Sequence, residues 1–160
     1  MTEGRVPENR RGRWASTAAI AVAATLVAVP SADAAKTYKV AASGQVKLTK
    51  REPATKKIEQ KGTISGAPFG RGTLTLRSKL AGRKLLEFSI RLVTPHGTVT
   101  GNGTATLKAS GSQADYSGQL KITGGTRRYA SITRSNLRVS GVGDSAARTT
   151  TVRITGSARY

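Results

Sequence analysis

Beyond residue 35 the chain alternates apolar and polar positions with a period of two, the signature of strands whose successive side chains point to opposite faces. The first such segment runs through Tyr38, Val40, Ala42, Gly44, Val46 and Leu48, with Lys39, Ser43, Gln45, Lys47 and Thr49 between them. Residues 50–57, charged and carrying Pro53, break the pattern and predict a loop. A second segment carries Ile58, Gln60, Gly62 and Ile64, and Gly66-Ala67-Pro68 then turns the chain. Leu74, Leu76, Ser78 and Leu80 form a third, closed by Ala81-Gly82-Arg83. Leu86, Phe88, Ile90 and Leu92 form a fourth, closed by Pro95-His96-Gly97. Val99, Gly101, Gly103, Ala105 and Leu107 mark a fifth, and Tyr116, Gly118, Leu120 and Ile122 a sixth. Two more follow at Leu137, Val139, Gly141 and at Val152, Ile154, Gly156. No helical stretch of comparable length competes.

Eight short strands joined mostly by turns predict an all-β domain with an antiparallel meander. A two-sheet sandwich and a closed barrel both satisfy the alternation. The glycines that fall in phase with the apolar set (Gly44, Gly62, Gly101, Gly103, Gly118, Gly141 and Gly156) fit a strongly coiled sheet and favour an eight-stranded antiparallel β-barrel. Eight strands enclose a space just wide enough for side chains or one small ligand.

The first 34 residues differ in kind. Arg5, Arg10, Arg11 and Arg13 precede an apolar run over residues 15–29, and Ala32-Asp33-Ala34 offers a small-x-small cleavage site. The run falls short of the roughly 20 apolar residues of a membrane-spanning helix. It predicts a helical signal peptide over residues 1–34, a β-barrel domain over 35–160, and no stable membrane span after cleavage. The product is expected outside the cell or in the cell envelope. Arg10-Arg11 also leaves twin-arginine export open beside the general route.

Charge then narrows the partners. The chain carries 27 Lys and Arg against 8 Asp and Glu. Without the leader, 23 basic and 5 acidic side chains remain, a net charge of +18 on 126 residues. Such a field attracts polyanions. The outward strand positions Lys39, Lys47, Lys61, Arg77, Lys79, Arg91, Lys108, Lys121, Arg138 and Arg153 spread the charge around the barrel. Few aromatics accompany it, so sequence-specific nucleic-acid reading is not expected. Anionic envelope polymers or polysaccharide are the expected partners. Clusters at Lys50, Arg51, Lys56 and Lys57, and at Arg127 and Arg128, are the candidate polyanion contacts.

The chemistry available is sparse. There is no cysteine, and His96 is the sole histidine, so thiolate sites and multi-histidine metal centres are excluded. No cofactor is expected. With the apolar set inward, Glu59 and Glu87 face outward, leaving Gln60, Ser78, Tyr38 and Tyr116 as the polar interior. Two phenols without a charged partner are poor general acids or bases at neutral pH.

The stretch Tyr116-Ser117-Gly118-Gln119-Leu120-Lys121-Ile122-Thr123-Gly124-Gly125-Thr126, followed by Tyr129-Ala130, resembles the allene oxide cyclase and dirigent-like barrel superfamily. In that group a strand ends in a Gly-Gly-Thr turn, and a following Tyr packs back on the barrel. Gly66-Ala67-Pro68-Phe69-Gly70-Arg71-Gly72-Thr73 is similar to the group's strand entry, and Arg127 stands where Gly is often found. The resemblance implies an eight-stranded barrel able to enclose a small apolar ligand, with isomerase or coupling-guide activity as the functional alternative. Read from the residues themselves, Gly124-Gly125 permits a sharp turn, Thr126 can cap it through its hydroxyl, and Tyr129 is an apolar plug with a bonded hydroxyl.

The expectation is an exported, non-catalytic binding or envelope-associated barrel, with Tyr116, Tyr129, Tyr38 and Gln60 as candidate ligand contacts. An outer-membrane barrel, with Tyr160 as its terminal aromatic, is the lesser alternative. N-terminal sequencing of the exported protein is expected to begin at Ala35; a product beginning at Met1 would overturn the cleavage site.

Overall fold

The computed structural model describes residues 36–132 and 134–160, and the signal peptide expected over residues 1–34 lies outside the described residues. Eight strands follow one another: β1 (Thr37–Glu52), β2 (Lys57–Ala67), β3 (Gly70–Leu80), β4 (Leu85–Thr94), β5 (Gly97–Ser110), β6 (Gln113–Gly125), β7 (Arg134–Asp144) and β8 (Thr149–Arg159). Each pairs antiparallel with its neighbour in sequence, and β8 returns to β1 to close the barrel. The closing ladder runs from Thr37↔Arg159 to Lys47↔Thr149. The barrel therefore prevails over the sandwich.

The alternation sets the two faces. Val40, Ala42, Val46, Ile64, Leu74, Leu76, Phe88, Ile90 and Leu92 on the first four strands are buried, as are Val99, Leu120, Leu137, Val139, Val152 and Ile154 on the last four. Cations stand on the outer face of every strand. Curvature this tight brings neighbouring backbones together on the inner side. At Gly118, a Cβ would run into the Thr104 carbonyl oxygen and come within 2.5 Å of Ala105 Cα on the facing strand. Only glycine fits there, which is why the in-phase glycines mark the coiled positions of the sheet.

One local expectation is corrected. Residues 50–57 are not one loop: β1 continues to Glu52 and β2 starts at Lys57, leaving a turn of four residues. The register also slips between Leu48↔Gln60 and Lys50↔Glu59, a bulge at Thr49. Since strand side chains alternate, one extra residue reverses the phase beyond it. Arg51 now stands opposite Ile58, on the inner side of the barrel.

The two ends of the barrel are built differently. One holds the β2–β3, β4–β5 and β6–β7 connections, where a 3-10 turn at Arg127–Tyr129 drops the Tyr129 ring into the opening. That ring is fully buried and meets Phe69 and Tyr160 edge-on, with centroids 5.6 and 5.3 Å away. Tyr38 stacks on Tyr160 at 4.5 Å, and Ile132 completes the plug. Thr126 does not cap the 3-10 turn. Its hydroxyl instead accepts the Thr98 N–H at 3.0 Å, tying the turn to β5.

The Tyr129 hydroxyl, expected to be bonded, is buried without a protein partner, as is that of Tyr160. Packing of the ring therefore holds the plug. Tyr129→Phe is expected to leave stability within about 1 kcal/mol of the parent, while Tyr129→Ala should cost about 3–5 kcal/mol. Urea unfolding midpoints of the two variants check this.

Candidate functional site

The opposite end carries the β1–β2, β3–β4, β5–β6 and β7–β8 turns and, among the described residues, has no plug. A cavity of about 820 Å³ opens there. Its wall is apolar, formed by Leu48, Ile58, Leu80, Leu86 and Leu107, one side chain from each of five strands. Its floor is polar. Gln60, 7% exposed, donates from Nε2 to the Thr150 hydroxyl at 2.6 Å, a bond that bridges β2 and β8 over β1. Ser78 and Leu76 lie beside it in the lining.

Tyr116 enters from β6. Its ring crosses Gly141 of β7, where a Cβ would sit 2.6 Å from Cζ, and its hydroxyl donates to the Thr151 carbonyl on β8 at 3.2 Å. Burial pushes this phenol far above its ordinary range. It therefore keeps its proton at neutral pH, and that proton is directed at a backbone oxygen. Below the rim, Tyr116 is the sole ionisable side chain in the lining among the described residues.

The rim is charged. Lys50, Arg51, Lys56, Lys57 and Arg148 surround the mouth, with Glu52 and Asp144 as its carboxylates. Glu52 pairs with Lys50 at 2.6 Å and accepts the Thr55 hydroxyl at 3.1 Å, and these two partners hold its acid below the usual range. Asp144 accepts the Ala146 and Ala147 N–H groups at 2.8 and 3.0 Å, so its charge is spent on the β7–β8 turn. The ion pairs among the described residues leave Arg51, Lys56, Lys57 and Arg148 without a carboxylate.

The structure thus divides both groups of candidates. Tyr116 and Gln60 line the open cavity. Tyr129 and Tyr38 belong to the plug at the other end and do not reach it, since strand phase says which face a residue occupies but not which end. Lys50, Arg51, Lys56 and Lys57 ring the mouth, whereas Arg127 and Arg128 sit exposed at the closed end. Two members of the site escaped the sequence reading. Thr150 lies in phase with Val152 and could have been found by extending β8 by one pair. Arg148 sits in a turn, where alternation carries no signal.

Glu59 lies on the outer wall as expected, accepting from Arg77 Nε at 2.8 Å and paired with Lys61 at 3.2 Å. Those cations keep its carboxyl below the usual range.

Thr150→Val is expected to cost about 1–3 kcal/mol by leaving the Gln60 amide buried without its acceptor. Adding Gln60→Leu to it should recover part of that loss, because an apolar pair strands no donor. Denaturant titrations of the two singles and the double close this cycle; strict additivity would show that the bond is uncoupled.

Set beside known proteins, the chain matches no family model, no curated protein and no solved structure. The functional reading therefore stands on the geometry of the mouth.

Proposed function

We propose that this protein is an exported, non-catalytic binding module that holds a small, largely apolar ligand in the open end of its barrel, while its cationic exterior associates with anionic envelope polymers or polysaccharide. The observation that carries the reading is the 820 Å³ cavity with leucine and isoleucine walls at one end of a barrel sealed at the other. Ligand sites are concave and mostly apolar, with a few placed polar groups, and volumes of roughly 300–1,000 Å³ are usual. Gln60, Thr150 and Ser78 would supply those polar groups at the floor.

The alternative of an isomerase or coupling guide draws on the family resemblance. It would need a group able to move a proton or stabilise charge on the ligand. Tyr116, its proton raised in pKa and committed to the Thr151 carbonyl, is a poor base, and the remaining floor groups are neutral. Binding without turnover is the better-supported reading.

The outer-membrane alternative would need an apolar outward band. The outward wall instead offers Lys39, Lys47, Thr63, Thr75, Arg91, Thr104, Lys121, Arg138 and Arg153, with Leu85, Val93 and Val142 as its exposed large apolar residues among those described. Tyr160 is also packed into the plug.

Two measurements test the reading. The neutral fluorophore N-phenyl-1-naphthylamine is expected to bind the domain once, and Ser78→Phe, which fills the cavity from its lining, should abolish the signal. Fluorescence unchanged by that variant would remove the cup from consideration. Retention on heparin is expected to fall steeply as salt rises, through screening and counterion release; salt-independent passage would end the polyanion proposal.

A further inference from the structure

The rim above the apolar cup has features that an apolar ligand alone does not explain. Five cations face two carboxylates, an excess of three, and both carboxylates are already engaged by Lys50 and by turn amides. These cations come from three different places in the chain. Lys50 and Arg51 end β1, Lys56 and Lys57 follow across the turn, and Arg148 arrives from the β7–β8 connection about ninety residues later. Arg51 reaches the inner side through the Thr49 bulge, without which the alternation would have turned it outward.

Two of the five also occupy positions that a long side chain takes at a cost. Lys56 and Arg148 each have φ of 53°, the left-handed region that favours glycine. Their carbonyls are tied to the cup wall: Lys56 accepts the Leu80 N–H at 3.4 Å, and Arg148 accepts the Leu48 N–H at 3.0 Å. Both turns thus tie a left-handed cationic residue to the backbone of a wall leucine. Arg127 at the closed end has the same φ, so what singles out the mouth is the convergence of these cations on an apolar cavity and not the backbone alone.

We propose that the mouth binds a single-chain amphiphile headed by a phosphate monoester, its tail in the leucine-lined cup and its phosphate among Arg51, Lys56, Lys57 and Arg148. This rests on the cup reading above and adds the headgroup to it. A carboxylate brings one charge; a phosphate monoester brings nearly two at pH 7 and three strong acceptor oxygens, the better match for three or more uncommitted cations. From Lys57 at the rim to Gln60 at the floor is three residues of strand, about 10 Å. That depth suits one short chain. A diacyl lipid would have to leave its bilayer to enter a cup whose outer wall is polar.

Octyl phosphate, octanoate, octanol and inorganic phosphate, titrated calorimetrically into the protein, separate the contributions. Octyl phosphate is expected to bind once per domain and at least about tenfold tighter than octanoate, with octanol weaker still and inorganic phosphate weakest. Lys56→Gly and Arg148→Gly remove a cation and relieve its backbone strain together. Each should therefore keep the unfolding midpoint while weakening octyl phosphate by about tenfold, a larger loss than the same variant causes for octanol.

Octanol or octanoate binding as tightly as octyl phosphate would overturn the headgroup assignment and leave the cup reading in place. Inorganic phosphate matching octyl phosphate would overturn the amphiphile. If no octyl compound binds, the cup reading falls with the inference. Binding to phosphatidic acid vesicles that octyl phosphate does not displace would assign the rim to a membrane surface and overturn the proposal.

Discussion

The pairing of β8 with β1 is the constraint on which the rest depends. An open sheet of eight strands would leave two rows of unpaired backbone groups, and closure gives every strand a partner on both sides. It also divides the chain's surface into an inside and an outside, so each residue in a strand acquires a face from its phase alone. The cost is curvature. Eight strands close only if the sheet coils strongly, and the coil presses facing backbones together at positions such as Gly118. Closure, glycine placement and the separation of leucine from lysine are thus one arrangement seen from three sides.

The interior of such a barrel is a short column whose ends need different treatment. At one end the β6–β7 connection is long enough to make a 3-10 turn and lower Tyr129 onto Phe69 and Tyr160. Conserving ring contacts there fills the column without needing the tyrosine hydroxyls. At the other end the turns are tight and carry no large apolar residue inward, so the column stops at Gln60 and Thr150 and the space above stays open. A molecule with one plugged and one open end has a direction.

Electrostatics acquires direction in the same way. The cations on the outer strand positions are solvated and dispersed, and they act together as a long-range field that salt screens. Those at the mouth are different in kind. They converge on one opening and border an apolar wall. A high net charge is a statement about solubility and diffuse attraction. Convergence around a cavity is a local feature that a diffuse field lacks.

What the sequence determined by itself is the strand count and the face of most strand residues, because a period of two is local and needs only the next residue to be read. Gln60, Ser78 and Tyr116 were therefore legible as inward, and Glu59 and Glu87 as outward. The bulge at Thr49 was not, because a slip in register belongs to the pairing of two strands and leaves no mark in the alternation of one. Nor was the separation of Tyr129 and Tyr38 from Tyr116, since the period is blind to height along the barrel axis. Height, closure and the meeting of Arg148 with Lys56 arise from contacts between residues far apart in the chain. Only the tertiary structure decides those, because only closure of the sheet brings β8 back to β1 and gathers separate turns into one rim.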